Sequence, residues 1–297
     1  MEVVYLLTAE IPSEFHCAQI TTFHIQHVVC NLIKNNQSMS NISSNSLFHF
    51  TPEFKYLIDI FKRGFQPRYC QENIKLNDHR SFRGFNTGVP MTCFCDISLS
   101  QISNHIQTYG NYGIGMKKEW GIKNRLNPII YLNKNSFVSD PLSIIGENGL
   151  KLNDFKNGDV RKIGEEIILG CISLLMYSKP YSGDFTHNGK TNKDVKFYNE
   201  REWRYIPIGG EKSAPFRTLS EKQMDNNKEL QIENEMLKSY QLHFNPNDVK
   251  YIFVKEESEI HKIVSDLRKI KSPNYDRRTI DILTSKILTT EQILEDF

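Results

Sequence analysis

From residue 47 onward, short runs of strand-forming residues alternate loosely with segments of helical periodicity. The first pair is a strand at Leu47–Thr51 and a helix that begins at Pro52 and ends at Gly64. Within that helix, apolar residues recur every three or four positions, as one buried face requires. Loose alternation of strands and helices is typical of a mixed α+β fold, which we expect as a single domain over residues 46–297.

The remaining elements of this domain follow from the same patterns. Further strands are predicted at Met91–Ile97, Pro128–Asn133, Phe197–Pro207, Val249–Val254 and Thr279–Leu288. Further helices are predicted from Ser98 to Gly110, at Val160–Tyr177, at Leu219–Tyr240, from Glu256 to Lys271 and at the C-terminus. The helix at 160–177 is the most apolar of the chain, so we expect it at the centre of the core. The glycine-containing stretches Tyr109–Met116 and Tyr181–Lys196 are predicted to be loops.

Residues 1–45 differ from this domain in composition. A polar tract of Asn and Ser at residues 31–46 cannot bury enough apolar surface to order itself, which indicates a linker. The apolar segment Ile20–Val29 before it has the composition of one packed helix or of a variable extension. We therefore predict that residues 1–45 form a variable N-terminal extension and an Asn/Ser-rich linker.

Composition limits the classes of function that the chain can have. Lys and Arg number 37 against 35 Asp and Glu. The net charge of +2 does not support a protein that relies on nonspecific phosphate contacts, although local basic grooves stay open. The longest apolar stretch without a charge, Ile167–Ser178, is far shorter than the roughly 20 residues of a membrane span. The start of the chain lacks the basic region of a secretory signal, so we expect a cytoplasmic protein with no membrane segment.

The six cysteines, at positions 17, 30, 70, 93, 95 and 171, have no spacing typical of a disulfide framework, so we expect reduced thiols. Cys93 and Cys95, followed by His105, have some ligand types of a zinc site. Structural zinc sites usually contain two Cys-x-x-Cys pairs, however, and a second matching pair is absent from the sequence. We therefore predict no metal.

The acidic segment Glu200-Arg201-Glu202-Trp203-Arg204 is the most informative candidate for a site. On a strand, Glu200, Glu202 and Arg204 would share one face, with the two carboxylates about 7 Å apart. Carboxylates this close need a cation, a shared proton or a polar ligand. The segment is either an edge strand with solvated or paired charges, or a site where a Glu hydrogen-bonds a ribose hydroxyl. In the second case, the Glu would also stabilise an oxocarbenium-like transition state.

His49 and two tyrosines are further candidates. His49 lies between Phe48 and Phe50, so if these phenylalanines face the core, the period of the strand turns the imidazole to the opposite face. The imidazole either fills a half-buried structural position or lines a ligand cleft together with the glutamates. Tyr109 and Tyr112 flank glycines, so their rings either enclose a flat ligand or pack within a tight turn.

Six segments in order resemble the AbiGi family of bacterial abortive phage resistance proteins. They are His49–Thr51, Gly64–Cys70, Cys93–Ser100, His105–Gly121, Asn127–Tyr131 and Tyr198–Arg204. The resemblance covers about residues 47–207 and, more weakly, 249–270, and it leaves residues 1–45 outside. It implies a role in phage defence by an abortive or toxin–antitoxin route, with a toxin, an antitoxin or a phage component as the partner.

A more distant resemblance, to ADP-ribosyltransferase-like toxins, concerns the mechanism. Those proteins begin with a strand that carries His or Arg and finish with a strand that carries the catalytic Glu. The resemblance implies a split sheet flanked by helices, NAD as a substrate, and transfer to a macromolecule, with nucleic acid among the acceptors. It assigns catalytic roles to Glu202, Glu200 and His49, and the binding of NAD to His49, Phe50, Thr51, Tyr109 and Tyr112.

Two other functions compete with this hypothesis. A non-catalytic antitoxin or interaction module would use the same residues only for packing. A nuclease would use His49, His105 and the two glutamates, but the sequence contains no compact acidic cluster for the metal ions of such enzymes. The enzyme hypothesis requires that His49 and Glu202 line one cleft.

Overall fold

Strands and helices alternate along the chain in the computed structural model, which describes residues 44–187, 190–209, 214–215 and 217–296. The strands are β1 (Ser46–Thr51), β2 (Arg68–Lys75), β3 (Gly84–Cys95), β4 (Tyr112–Lys117), β5 (Asn127–Pro128), β6 (Ile130–Leu132), β7 (Ser178–Pro180), β8 (Gly183–His187), β9 (Lys190–Val195), β10 (Glu202–Tyr205), β11 (Ile208–Gly209), β12 (Ala214–Pro215), β13 (Leu219–Ser220), β14 (Val249–Val254) and β15 (Ile287–Thr289). The α-helices are α1 (Phe54–Arg63), α2 (Ser103–Tyr109), α3 (Lys118–Lys123), α4 (Ser139–Asn153), α5 (Gly158–Met176), α6 (Glu221–Asp225), α7 (Asn227–Met236), α8 (Ile260–Lys271), α9 (Arg277–Thr284) and α10 (Thr290–Asp296). Short 3₁₀ helices lie at Leu99–Gln101, Phe197–Glu200, Leu237–Tyr240, Pro246–Asp248 and Glu257–Glu259.

One mixed sheet organises the fold. Its strands run in the order β15-β14-β4-β1-β3-β10-β5, and β2 and β13 also pair with β3. The pairs of this sheet are antiparallel except for β14 with β15. The mixed α+β fold expected from the sequence is therefore confirmed. The predicted N-terminal extension lies almost entirely outside the described residues, so it stays a prediction.

Hydrophobic side chains cover both faces of the central strands. Helices α1 and α8 contribute to the core on one face, where Leu47 of β1 is buried. Helices α2 and α10 contribute to the core on the other face, where Phe48 is buried. Because Leu47 and Phe48 are neighbours, the alternation of side chains along a strand buries β1 on both sides.

Strands β1 and β3 separate soon after they meet. Phe48 and Cys95 form the backbone pair between them, whereas β1 pairs with β4 along its whole length, Ser46 to Thr51. The imidazole of His49 lies at the fork, where its Nδ1 donates to the carbonyl oxygen of Cys93 at 2.8 Å. The sheet therefore splits at His49, and a cavity opens beside the split.

The two glycine-containing stretches that were expected to be loops form strands. Residues 112–117 are β4, which lies between β1 and β14. A Cβ at Gly115 would lie only 2.9 Å from ring atoms of Phe48 and of Tyr251, so glycine is needed for close packing against these aromatic rings. The predicted loop at 181–196 contains the β8–β9 hairpin. At Gly115, glycine therefore belongs to a closely packed strand and not to a loop.

Helix α5, expected at the centre of the core, lies at the surface instead. Ile163, Leu169 and Leu174 on this helix are each about half exposed. The helix packs against α4 through Gly149 and Gly164, where an added Cβ would meet atoms of the facing helix at 2.8 Å or less. Helices α4 and α5 therefore form a two-helix hairpin, the α4–α5 hairpin, and part of the hydrophobic surface of α5 is exposed.

Arg201 divides the strand that was predicted at Phe197–Pro207. Its φ of 44° and ψ of 51° lie in the left-handed region, which ends the 3₁₀ helix at Glu200 and lets β10 begin at Glu202. Glu200 and Glu202 therefore lie on different elements, and not on one strand face.

Near the C-terminus, the predicted strand at 279–288 is mainly a helix. The side chain of Asp276 accepts from the backbone N–H of Thr279 and caps α9, which ends at Thr284. The predicted helix at 219–240 is divided into shorter elements, β13, α6, α7 and a 3₁₀ helix. The strand at Val249–Val254 and the helix that ends at Lys271 are confirmed.

Candidate functional site

A cavity of about 490 Å³ lies beside the split between β1 and β3. Its walls bring together residues that are far apart in the sequence. The apolar and aromatic side chains include Phe48, Phe50, Met91, Phe94, Tyr109 and Phe185. The polar residues include His49, Cys93, His105, Lys179, Glu200 and Glu202. His49 and Glu202 thus line one cavity, as the enzyme hypothesis requires.

A buried network of charged side chains lies along one wall. Arg204 has no exposed surface, and its guanidinium donates to Glu202 and to Glu72, in each case with N···O distances of 2.5 Å. It also donates to the backbone carbonyls of Met176 at 2.8 Å and Ser178 at 3.2 Å. These contacts hold the guanidinium, and through it both carboxylates, in a fixed position.

Lys179 of β7 joins the two glutamates that the sequence singled out. Its Nζ lies 2.6 Å from Oε2 of Glu200 and 3.0 Å from Oε2 of Glu202. The hydroxyl of Tyr109 donates to the other carboxylate oxygen of Glu200 at 3.3 Å. The cation that these carboxylates were expected to need is therefore present, and it comes from another element.

The network shifts the pKa values of two of its carboxyl groups in opposite directions. Burial by itself would raise the pKa of Glu202, but Lys179 and Arg204 outweigh burial and hold this pKa well below its ordinary range. Burial has the larger effect on Glu72 and raises the pKa of that carboxyl. Three carboxylates, including Glu200, face two cations, so the fully ionised network has one negative charge in excess. A proton on Glu72 or a cationic ligand in the cavity would balance it.

His105 of α2 lines the same cavity and is 9% exposed. Within the described part of the chain, neither ring nitrogen has a hydrogen-bond partner of ordinary geometry. Burial lowers the pKa of His105 to about 4, and the backbone of Glu200 offsets this effect only in part. The imidazole is therefore neutral at pH 7, and at least one of its ring nitrogens is open to a ligand.

His49 is enclosed by aromatic rings. Its ring centroid lies 5.3 Å from that of Phe65 and 5.4 Å from that of Phe94. Burial lowers the pKa of His49, although the hydrogen bond to the backbone of Cys93 acts in the opposite direction. The imidazole therefore combines a structural contact with a place at the cavity.

The register of the strands places the side chains of His49 and Glu202 on opposite faces of the sheet. Phe48, Cys95 and Glu202 lie opposite one another on three neighbouring strands, so their side chains share a face. The side chain of His49 starts on the other face, turned away from that of Phe48 as expected. Both His49 and Glu202 reach the cavity because the sheet splits between them.

The other residues expected to bind NAD have different surroundings. Phe50 lines the cavity, but Thr51 and Tyr112 do not. Thr51 is buried at the end of β1, and the hydroxyl of Tyr112 donates to Glu259 at 2.9 Å. The cavity therefore contains Phe50 together with His49, Tyr109 and the glutamates, and the roles of Thr51 and Tyr112 receive no support from the geometry.

Sequence reasoning missed Lys179 and Glu72. Lys179 follows directly on the longest apolar stretch, so the charge that ends this stretch was a usable signal. Glu72 lies in β2, a strand that no pattern predicted, and nothing in the sequence marks it.

Metal ligands and membrane segments are not evident in the described residues. No group of three or more His, Cys, Asp or Glu side chains among them is arranged to hold a metal ion. Cys70, Cys93, Cys95 and Cys171 are free thiols, and the other two cysteines lie outside the described residues. No described helix has both the length and the apolar character that crossing a membrane would require.

Two comparisons place the chain among known proteins. The family described as "Putative abortive phage resistance protein AbiGi, antitoxin" matches residues 63–255, which contain the cavity residues except those of β1. A protein of Lactococcus lactis subsp. cremoris named "Abortive phage resistance protein AbiGi" is 32% identical over 255 residues, 78% of this chain and 99% of that protein. No solved structure matches the chain, so the ADP-ribosyltransferase-like part of the fold expectation stays a prediction. The chain belongs to the AbiGi family.

Proposed function

We propose that the chain acts in abortive phage resistance as an enzyme that cleaves NAD in the cavity and transfers ADP-ribose to a macromolecule. The observation that carries this proposal is the pair of acidic side chains, Glu200 and Glu202, that lines a cavity with aromatic walls. The nicotinamide ring of NAD is flat and positively charged, and positive charge passes to the ribose as the glycosidic bond breaks. Both properties match the walls of the cavity.

The reaction needs a stabilised cation and a departing neutral ring. The bond between the ribose and nicotinamide breaks, its electron pair leaves with nicotinamide, and a nucleophile of the acceptor bonds to the ribose and releases its proton to water. The carboxylates of Glu202 and Glu200 stabilise the positive charge on the sugar. Phe50 and Tyr109 enclose the flat ring. Arg204 and Lys179 are positioning residues that hold the carboxylates in place.

Binding can be tested separately from turnover by isothermal titration calorimetry with NAD and NADH. The reduced ring of NADH has no positive charge, so the carboxylates of Glu200 and Glu202 should favour NAD by about tenfold in Kd, a modest Coulomb difference for a partly buried site. Equal affinity for both, or no binding of NAD, would contradict the proposal.

Turnover is measured as nicotinamide release by the full chain, with cell extract as the source of acceptors. Glu200→Gln is the preferred variant, because Glu200 contacts one cation whereas Glu202 contacts two. We expect Glu200→Gln to lower nicotinamide release at saturating NAD at least tenfold, because a carboxylate that stabilises the charge developing on the ribose is lost. The Kd for NAD should weaken by no more than the roughly tenfold preference for NAD over NADH. Glu235→Gln, at an exposed ion pair with Lys238, is the control and should behave as the unmodified chain.

A second candidate function is a non-catalytic antitoxin that binds a partner toxin. The family description contains the word antitoxin. The exposed apolar side chains of α4 and α5, including Ile145, Ile163, Leu169 and Leu174, offer a surface for such a partner. In this case, the cavity would be unnecessary for protection, and the α4–α5 hairpin would be essential.

A further inference from the structure

A polar groove adjoins the cavity and shares part of its wall. The groove has a volume of about 760 Å³, and it is lined by α2, the 3₁₀ helix at 197–200 and residues of β8 and β9. His105, Tyr109 and Glu200 line both the groove and the cavity. A ligand in the groove would therefore reach the site where we place the ribose of NAD.

One exposed tyrosine and two cations line this groove, and a second tyrosine packs against the first. Tyr198, on the groove wall, is 45% exposed, and its ring centroid lies 5.6 Å from that of Tyr181, with 31° between the ring planes. The guanidinium of Arg201 lies 5.9 Å from the centroid of the Tyr198 ring. The ammonium of Lys196 lies 5.7 Å from the centroid of the Tyr181 ring. Exposed aromatic faces beside cations are the combination that binds unpaired bases and their phosphates.

The charge of the groove agrees with an anionic ligand. Lys196 and Arg201 line it, and among its described wall residues the single acid is Glu200, whose carboxylate is already bound by Lys179 at 2.6 Å. The remaining polar lining consists of amides and hydroxyls, among them Gln101, Asn104, Gln107, Asn192 and Asn199. Side-chain amides can hydrogen-bond the edges of bases.

His105 supplies a second observation, which does not depend on the Tyr198 ring or on the two cations beside it. It lies at the junction of groove and cavity, it is more than nine-tenths buried, and neither of its ring nitrogens has a partner of ordinary geometry among the described residues. Buried polar groups normally have partners, so an imidazole of this kind indicates a ligand group that would bond to it.

We propose that the groove binds single-stranded nucleic acid as the acceptor of ADP-ribose. A base stacks on Tyr198, which Tyr181 supports from behind, phosphates lie near Arg201 and Lys196, and one nucleotide reaches His105 at the entrance of the cavity. The identity of the acceptor rests on the proposed function, whereas binding of the strand does not require NAD.

Binding is tested by fluorescence anisotropy without NAD, with labelled DNA and RNA strands of about 12 nucleotides and the corresponding duplexes. We expect single strands to bind more tightly than duplexes. Tyr198→Ala should weaken binding about tenfold, the loss expected when one base no longer stacks on an aromatic ring.

Arg201→Gly should reduce the dependence of log K on log salt by about 0.7, the value for one phosphate contact of a single strand. Glycine adopts the left-handed backbone of Arg201 without strain, so this variant should fold.

A matched control exists on α1. Lys55 lies 4.8 Å from the ring centroid of Tyr56, which is 40% exposed, so this pair resembles the groove pair but does not line the groove. Tyr56→Ala should leave strand binding unchanged. Equal binding by the unmodified chain and Tyr198→Ala, or equal losses in Tyr56→Ala and Tyr198→Ala, would overturn the proposal.

Two further outcomes separate this inference from the proposed function. If NAD competes with the strand and Tyr198→Ala raises the Kd for NAD, the groove holds the adenosine half of NAD, and the acceptor inference fails while the enzyme proposal survives. If radiolabel from NAD appears on protein and not on added strands, the acceptor is a protein and the inference fails in the same way. Strand binding without nicotinamide release would instead support the groove and contradict the enzyme.

Discussion

At the scale of single residues, the buried ion network of Arg204 and Glu202 means that a substitution of Glu202 can disturb the fold as well as the proposed site. Arg204 is fully buried, and Glu202 contacts both Arg204 and Lys179. A variant that removes the charge of Glu202 leaves two cations without their shared partner. Loss of activity in such a variant would therefore report a damaged fold as readily as a missing catalytic group.

We predict that Glu202→Gln lowers the free energy of unfolding by about 3 to 5 kcal/mol, as breaking a buried ion pair usually does. Glu235→Gln, at the exposed pair with Lys238, should change it by less than about 0.5 kcal/mol. Urea denaturation of both variants measures the difference. A Glu202→Gln variant as stable as the unmodified chain would show that the network contributes little to folding, and Glu202 could then be tested directly by turnover.

His105 gives a prediction for pH. Burial lowers its pKa from 6.5 to about 4, so between these values the unfolded chain binds more protons than the folded chain. Above about pH 6.5 the imidazole is neutral in both the folded and the unfolded chain, so it does not lower the stability. As the pH falls from 6.5 toward 4, the unfolded chain takes up a proton that the folded chain does not, and the free energy of unfolding decreases. The loss should reach about 3 kcal/mol, because one unit of pKa corresponds to about 1.4 kcal/mol.

Urea denaturation of the unmodified chain and of His105→Asn, at several pH values between 7 and 4, checks this. The stability of His105→Asn should fall less steeply with acidification, since His49 and the carboxyl groups titrate in both proteins and cancel in the comparison. Parallel curves would mean that His105 is protonated in the folded state or exposed to solvent.

The pattern of residues predicted part of this site. The alternation along the strand placed Glu202 and Arg204 on one face, and both are buried there. It could not identify Lys179 or Glu72, because the Arg204–Glu72 contact joins residues 132 positions apart and depends on the pairing of whole strands. It also misplaced Glu200, because one left-handed residue, Arg201, interrupts the period of two.

At the scale of elements, the sequence alone does not show whether a glycine is needed for close packing or has free space around it. In β4, Gly113 and Gly115 lie against the rings of β1 and β14, whereas on α5 a Cβ at Gly170 would meet nothing within 4 Å. A local pattern cannot separate these cases, because the difference lies in what another strand brings to the glycine. The same reason explains why β4 was expected to be a loop, while β14, with a continuous apolar run, was recognised.

Paired substitutions test this difference. Gly115→Ala should lower the free energy of unfolding by about 1 to 3 kcal/mol, because the added methyl group would meet the rings of Phe48 and Tyr251 at 2.9 Å. Gly170→Ala should raise it by about 0.5 to 1 kcal/mol, since alanine is the better residue inside a helix and has room there. Denaturant unfolding measures both, and a stabilising Gly115→Ala would contradict the packing described for β4.

At the scale of the whole molecule, the cavity and the α4–α5 hairpin support different functions. The cavity lies beside the split in the sheet, and the apolar side chains of the hairpin lie on the surface. Because the two features involve different elements, variants can separate them. Glu200→Gln alters the cavity, and Leu169→Lys with Leu174→Lys alters the hairpin at two exposed positions.

We predict that expression of the full chain alone slows the growth of a naive bacterial host, and that Glu200→Gln restores growth, as expected for an enzyme that modifies a macromolecule. Growth curves and plaque counts are the measurements. If expression is harmless, and the chain rescues cells from a toxin encoded by a neighbouring gene, the antitoxin function is favoured. In that case the double lysine variant of the hairpin should lose rescue, while Glu200→Gln retains it.

The split in the sheet also divides the walls of the cavity between two groups of strands. The backbone pair of Phe48 and Cys95 joins these groups, one ending at β15 and the other at β5. Beyond this pair, the hydrogen bond from His49 to the carbonyl oxygen of Cys93 and the packing of Phe94 against His49 connect them. Phe94 also belongs to the same hydrophobic core as Leu47 of β1, so widening the cavity at the split would break core packing as well as the hydrogen bond. The width of the cavity is therefore coupled to the packing of the core beside it.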